Sequence, residues 1–495
     1  MFFIDTLDIA GLGNRSYLAG GERAALVVDP PRDIDQVIAA AARRGVRIAY
    51  VAETHVHNDY VTGGLELARV TGAAYLVPAG ARVSYERVAV RDGGRVEVDG
   101  DAGLVVRALA TPGHTPHHTA YVLEENGTAV AVFTGGSLLT GTVGRPDLVE
   151  PRLTERLARE QYASAHRLAG ELPDETAVLP THGFGSFCSS GRADGEVSTI
   201  GEEKVSNEVL LRDVDTFVAE LLAGLDDVPA YYTHMGPANA TGPAPVDLTP
   251  PAVADAEEIA ARLGAGEWVI DLRNRVAFAE GHVAGSLNFE AEGQLATYLA
   301  WLIPWGKPVT LLAASPAQLA SAQRELVRVG IDRPAAATTG EPEGWATDGL
   351  VSFPRATFAD LAARSEVHSG DPADVDVDVD VDVDVDVVPR PTPHPVVLDV
   401  RRDSERAAAF IDGSVHIPLH ALPRRLHEVP EGQVWVHCAG GMRAAIAASL
   451  LHAVGREVVA IDDGFDAAGR AGLVVRTHPR DEATEQVAPA TRTHG

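Results

Sequence analysis

The chain has 495 residues, of which 45 % are hydrophobic, a formal charge of −29 and only 2 cysteines. That length exceeds what one core serves and implies about three domains, and no apolar run reaches ~18 residues, which excludes a helical membrane span. The negative charge argues against nucleic acid or an anionic membrane as partner, and two distant cysteines behind an N-terminus without a signal pattern fit a reducing cytoplasm.

The chain opens with alternating apolar positions, and Ala24 to Val28 form a β-type run stopped at Asp29-Pro30. Asp33 is placed to cap a helix over Ile34 to Arg44, where Val37, Ile38 and Ala41 recur at helical spacing. Ile48 to Ala52 reads as a buried strand and Gly64 to Val70 as a helix, so strand and helix alternate as in a layered α/β fold. Between the two stands Glu53-Thr54-His55-Val56-His57-Asn58-Asp59-Tyr60. Alternating residues past a strand end point the same way, so His55, His57 and Asp59 can converge on one cation. The same composition also suits a solvated polar loop.

This stretch resembles the metal-binding signature His-x-His-x-Asp-His of the metallo-β-lactamase superfamily, with Tyr60 in place of the last histidine. Further on, Thr111-Pro112-Gly113-His114-Thr115-Pro116-His117-His118 lies between strand-like Leu104 to Ala108 and Thr119 to Leu123. Leu179-Pro180-Thr181-His182-Gly183 again sets a histidine in a loop after an apolar run. His114 and His182 are candidate ligands; His117 and His118 read better as hydrogen-bonded supports. Asp147 is a further candidate, and Cys188 reads as a small buried thiol rather than a nucleophile.

His55-Val56-His57-Asn58-Asp59, Pro112-Gly113-His114-Thr115-Pro116, Phe133-Thr134-Gly135, Val143-Gly144-Arg145-Pro146-Asp147-Leu148, Thr181-His182-Gly183 and Ser198-Thr199-Ile200-Gly201-Glu202-Glu203 together resemble the persulfide dioxygenase branch, over residues 1–245. In that branch one iron is held by two histidines and one aspartate. The match implies His55 and His114 as the histidines, Fe(II) as cofactor with zinc as the alternative, and O₂ and a thiol persulfide as substrates. Glutathione persulfide, or that of another low-molecular-weight thiol, fits this role. The aspartate belongs after Phe133-Thr134-Gly135, where this chain has Gly136. A set of two histidines and one carboxylate suits Fe(II) and leaves positions open for O₂ and substrate, and glycine supplies no ligand. Either Asp59 or another group takes over, the iron is held weakly, or the chemistry is lost. The changes at 136 and 60 also remove two ligands that a two-zinc hydrolase would use.

Proline-rich segments near 242–251 mark a linker. Ala254 to Leu263 then reads as a helix and Trp268 to Arg273 as a strand, followed by Gly281-His282-Val283-Ala284-Gly285-Ser286, which resembles the start of a rhodanese domain. Its active loop would follow Val309 to Leu312, where Ala313-Ala314-Ser315-Pro316 offers no cysteine. This copy, 246–365, is expected to be an inactive spacer or docking surface. The segment 366–390 carries the Asp-Val repeat from Asp374 to Val387 and reads as an acidic solvated linker.

In a third domain, 391–480, Val396 to Arg401 repeats the pattern of Val269 to Arg273, which points to an internal duplication. Val434-Trp435-Val436-His437-Cys438-Ala439-Gly440-Gly441-Met442-Arg443 delivers a cysteine from a strand into a glycine-rich turn that opens a helix over Met442 to Val454. The backbone N–H groups of Ala439, Gly440, Gly441 and Met442, the helix N-terminus and the Arg443 charge would lower the thiol pKa and hold an anionic sulfur group. The stretch closely resembles the rhodanese loop, which implies that Cys438, with Arg443, accepts a sulfane sulfur as a persulfide and passes it on. Asp399 stands where that family has a structural aspartate. The tail 481–495 is polar and reads as disordered.

The expected architecture is therefore α/β and multidomain, an αββα metallo-β-lactamase fold followed by two α/β rhodanese domains, the first degenerate. The expected function is sulfane-sulfur metabolism with iron-dependent oxidation of a thiol persulfide to sulfite. Thiosulfate and sulfite are further small-molecule partners, and self-association is compatible with the sequence. A glyoxalase-II-like zinc hydrolase using His57, Asp59 and His182, a sulfurtransferase with a metal-poor N-terminal domain, and a non-enzymatic persulfide sensor are the alternatives.

Overall fold

The computed structural model describes residues 2–100, 103–183, 185–190, 197–367 and 395–477. The Asp-Val repeat and the C-terminal tail lie outside the described residues. The chain forms two compact units, Met1–Ser352 and Phe353–Gly495.

The first unit begins with two six-stranded sheets. One runs in spatial order β1 (Phe3–Ile9), β2 (Asn14–Gly20), β3 (Ala24–Val28), β4 (Arg47–Ala52), β5 (Ala74–Pro78) and β6 (Val88–Val90). The other runs from β7 (Arg95–Asp99) through β8 (Leu104–Ala110), β9 (Thr119–Glu125), β10 (Thr128–Gly135) and β11 (Ala177–Pro180) to β12 (Ser198–Thr199). The two-residue period of a strand sorts their side chains into layers. Tyr17, Ala19, Leu26 and Val28 of one sheet meet Val106, Ala108, Tyr121, Leu123, Ala131 and Phe133 of the other. Their neighbours Leu18, Ala25 and Val27 face outward onto Val37, Ala40 and Ala41 of α1 (Asp35–Arg44) and Leu67 and Ala68 of α2 (Gly64–Thr71). On the far side Ala120, Val122 and Val132 pack on Ala158, Ala165 and Leu168 of α3 (Thr154–Glu171). The layers are thus αββα.

Asp33 does not cap α1. The N-cap position is Ile34, without a side-chain bond, and Asp33 accepts 2.8 Å bonds from both Nε and Nη2 of Arg328. A bidentate, charge-assisted pair outweighs one neutral N–H cap. Arg328 lies on a helix over Pro316–Arg328, so the cysteine-less segment is docked on the sandwich by a buried ion pair. Arg32 pairs with Asp332, and Arg324 reaches Asp35 at 2.6 Å.

That segment builds a parallel sheet in the order Leu287–Asn288, Trp268–Asp271, Val309–Ala313, Ala336–Thr339. The C-terminal unit repeats the order with Val415–His416, Val396–Asp399, Val434–His437 and Val458–Ile461. It adds Arg355–Ala356 beside the last of these. The helix Phe358–Val367 belongs to the same core, since Phe358 and Leu361 pack with Ile411, Trp435 and Val459. The C-terminal unit therefore starts near Phe353 rather than at 391, and the boundary expected at 365 moves upstream; the short strand Arg355–Ala356 and the apolar side chains of the helix Phe358–Val367 complete its core ahead of the acidic repeat. Both sheets carry one clasp. Arg273 binds Asp271 and the carbonyl of Gly281 at 2.7 Å; Arg401 binds Asp399 and the carbonyl of Ala409 at 2.7 Å.

Replacing Arg328 with alanine leaves Asp33 buried with Arg324 as its remaining arginine. Loss of a buried ion-pair partner costs about 3–5 kcal/mol, so Arg328→Ala is expected to lower the urea midpoint of the full chain strongly. An unchanged midpoint would show that the docking contact is dispensable.

Candidate functional site

The loops after β3, β4, β8, β10 and β11 bring Asp29, His55, His114, Gly136 and His182 together, and all four side chains are buried. Hydrogen bonds fix the protonation of three imidazoles. The Thr54 hydroxyl donates to Asp29 Oδ2 (2.8 Å), so towards His55 Nδ1 (2.9 Å) it can only accept. His114 Nδ1–H donates to the Arg145 carbonyl (2.8 Å), and His182 Nδ1–H to Asn14 Oδ1 (3.1 Å). In its neutral form each ring therefore keeps its proton on Nδ1 and presents a bare Nε2 lone pair. His55 Nε2 and His182 Nε2 stand 3.3 Å apart, and His114 Nε2 has no hydrogen-bond partner. Burial and the neighbouring imidazoles hold His55 well below its usual pKa; burial, then His182, takes His114 down to about 3. Two facing lone pairs repel unless a cation accepts both, and carbonyl or carboxylate partners on the far nitrogen are how metal-binding histidines are oriented. The residues present fit a metal ion.

His57 and Asp59 have other duties. His57 Nε2 sits between Glu53 Oε2 (3.1 Å) and Asp29 Oδ1 (3.2 Å). Burial alone would lower its pKa, but the two carboxylates raise it to about 10. Its Nδ1 has no hydrogen-bond partner. Asp59 accepts from Asn14 Nδ2 (2.6 Å) and lies 3.3 Å from His182 Nδ1. Burial raises its pKa, and His182 and Asn14 outweigh this and lower it. Asp29, Glu53 and Asn14 are site residues that sequence reasoning missed. Asp29 alone accepts from Thr54 N (2.7 Å), the Thr54 hydroxyl and Thr181 Oγ1. A positive φ of 49° at this non-glycine residue marks it in the structure, whereas in the sequence it reads as a strand stop. Tyr60, in the place of the last signature histidine, is buried and donates to the Asp29 carbonyl at 3.2 Å.

Gly136 is more than a missing ligand. A Cβ there would lie 2.3 Å from His114 Cδ2 and 2.6 Å from its Cγ, so the imidazole occupies the space where a side chain would start. The Gly136 N–H donates to His118 Nε2 (3.0 Å), and His118 Nδ1 meets Thr111 Oγ1 (2.9 Å). Both His118 nitrogens are thereby engaged, while His117 is exposed. Asp147 pairs with Arg145 (2.7 and 2.8 Å) and belongs to the support of the loop rather than to the imidazole cluster. Cys188 is fully buried beside that cluster, and burial, then Asp59, pushes its thiol pKa up.

In the C-terminal unit the Gly441 N–H donates to Cys438 Sγ at 3.1 Å, and the helix Met442–Ala453 starts at the next residue. Gly441 has φ of 92°, which favours glycine. Ala439 and Gly440 are exposed over the buried sulfur, and Met442 is half-buried. The Arg443 guanidinium binds Glu405 through both Nη atoms (2.6 and 2.7 Å), so a carboxylate meets its charge. At the equivalent place in the other copy Ser315 caps its helix through the Gln318 N–H (3.2 Å) and Pro316 is the first helical residue, which leaves no loop to cradle an anion.

The metallo-beta-lactamase superfamily model matches residues 10–182, and the rhodanese-like domain model matches residues 389–471. The mitochondrial persulfide dioxygenase of Bos taurus is 30 % identical over 209 residues, 41 % of this chain and 74 % of the relative. The chain belongs to the metallo-beta-lactamase superfamily. Within that family it is also 33 % identical over 162 residues to the hydroxyacylglutathione hydrolase of Pseudomonas entomophila, 33 % of this chain and 58 % of the relative. The crystal structure of a metallo-beta-lactamase from Staphylococcus aureus shares the fold, with a TM-score of 0.61 and 24 % identity over 69 % of this chain and 99 % of that one. Among the described residues no helix is long and apolar enough to cross a membrane.

Because the His114 ring fills the space at position 136, Gly136→Ala forces that ring to move. Overpacking a buried site costs about 1–3 kcal/mol, which a lowered denaturation midpoint reads directly. A midpoint equal to that of the parent protein would mean that His114 stands elsewhere.

Proposed function

We propose that this protein acts in sulfane-sulfur metabolism. Cys438 accepts a sulfane sulfur and transfers it to a low-molecular-weight thiol, and the N-terminal unit oxidises the resulting thiol persulfide. The observation that carries this reading is the cradle around Cys438, where the Gly441 N–H lies on the sulfur and a helix N-terminus follows. Such a turn stabilises an anionic sulfur in both the thiolate and the persulfide. With thiosulfate as donor, the Cys438 thiolate attacks the outer sulfur, the S–S bond breaks and sulfite leaves. An acceptor thiolate then attacks the terminal sulfur of the Cys438 persulfide and frees the enzyme thiolate.

In the N-terminal unit His55, His114 and His182 would hold the metal ion, with His57 beside them. Iron bound there would supply O₂ activation. The overall change consumes one persulfide, one O₂ and one water and gives one thiol, one sulfite and two protons. Thr54, Arg145 and Asn14 keep the imidazole protons on Nδ1, so the ring faces turned to the centre stay proton-free. The persulfide dioxygenase relative and the rhodanese-like domain in one chain support the reading. The persulfide made at one site is consumed at the other, and a shared chain raises its local concentration. A thioester hydrolase is the second reading, supported by the hydroxyacylglutathione hydrolase relatives. The glycine at 136 and the tyrosine at 60 weigh against it.

Sulfur transfer from thiosulfate to a thiol, followed as sulfite released, is expected in the full chain and is lost to background in Cys438→Ser. Transfer that survives this substitution would overturn the sulfurtransferase assignment.

A further inference from the structure

The chain has two cysteines, and Cys188 is left without a role by the reactions above. It lies in the turn after His182, with its N–H bonded to Ser186 Oγ (3.2 Å). Its carbonyl accepts from the Arg145 N–H (2.8 Å), and the carbonyl of the same Arg145 holds His114 Nδ1. One residue's backbone therefore fixes both the imidazole and the thiol. The ligand-capable atoms of His114, His182 and Cys188 all lie within 4.8 Å of one another, and all three residues are buried. His114 Nε2 is unpartnered in that space. The Sγ contact with the Tyr232 hydroxyl is long, 3.9 Å, and offers little competition for the sulfur.

We propose that Cys188 is a metal ligand whose thiolate joins His114 and His182 on one cation and takes over the negative charge absent at Gly136. The inference deepens the metal-bearing reading of the N-terminal unit and rests on it. A side chain at 136 is excluded by the His114 ring, so an anionic ligand has to come from another loop, and Cys188 is placed to supply it. The Sγ–metal bond forms as the thiol proton leaves to solvent. A thiolate added to imidazoles makes a soft set that suits iron or zinc and disfavours magnesium, calcium and manganese.

The full chain carrying Cys438→Ser retains Cys188 as its one thiol, so any sulfur–metal signal has one source. Titration of that protein with Co(II) is expected to give a near-ultraviolet thiolate-to-cobalt band that saturates at about one equivalent. Adding Cys188→Ser should abolish the band. X-ray absorption of the zinc-loaded Cys438→Ser protein, with Cys188 intact, should show a sulfur neighbour at ~2.3 Å, and this reads the ligand even if the Cys188 variant fails to fold. A first shell of nitrogen and oxygen only, a band that persists without Cys188, or no binding of either metal would overturn the proposal. Sulfur transfer plays no part in these readouts, so failure of the Cys438 assignment and failure of this one are seen separately.

Discussion

The constraint on which the N-terminal site depends is the placement of three imidazole protons. A backbone carbonyl at Arg145, an amide oxygen at Asn14 and a hydroxyl already committed to Asp29 each demand a proton from Nδ1. Burial then keeps His55 and His114 neutral. Neutral imidazoles are left facing one another among the loops that follow the strands. The arrangement is unfavourable by itself and favourable around a cation, so the fold presents a ligand set ahead of any ion.

Around that set the polar groups divide the work. Asp29 and Glu53 absorb the charge on His57, and Asp29 also ties the ends of β4 and β11 through Thr54 and Thr181. Tyr60 adds a further bond to the Asp29 backbone where the superfamily signature has a histidine. Position 60 therefore serves as a hydrogen-bonded support rather than as a ligand. The His114 ring stands against Gly136, in the space where a side chain there would begin.

Much of this was legible in the sequence. The apolar runs Leu104 to Ala108 and Thr119 to Leu123 mark strands covered on both faces, and the histidine clusters fall in the loops that follow strands. The cysteine turn at 438–443 is legible as a strand that runs through a glycine-rich turn into a helix. What stayed hidden depends on contacts far apart in sequence. Asp33 reads as a cap because its partner, Arg328, lies 295 residues away. Asp29 and Asn14 carry no local pattern, since their role is to meet groups on other loops. Glu405, 38 residues upstream of Arg443, carries no local pattern that announces its pairing with that guanidinium. The start of the C-terminal unit near Phe353 was masked because an acidic repeat interrupts one core.

In the proposed function a metal centre and a sulfur-transfer cysteine serve one sulfur pathway. The most direct test is metal content of anaerobically purified protein, paired with O₂ uptake on glutathione persulfide. About one iron per chain is expected, as a mononuclear site requires, with persulfide-dependent O₂ consumption that disappears in His55→Ala. Zinc in place of iron with no O₂ uptake, or a protein that binds no metal, would contradict it.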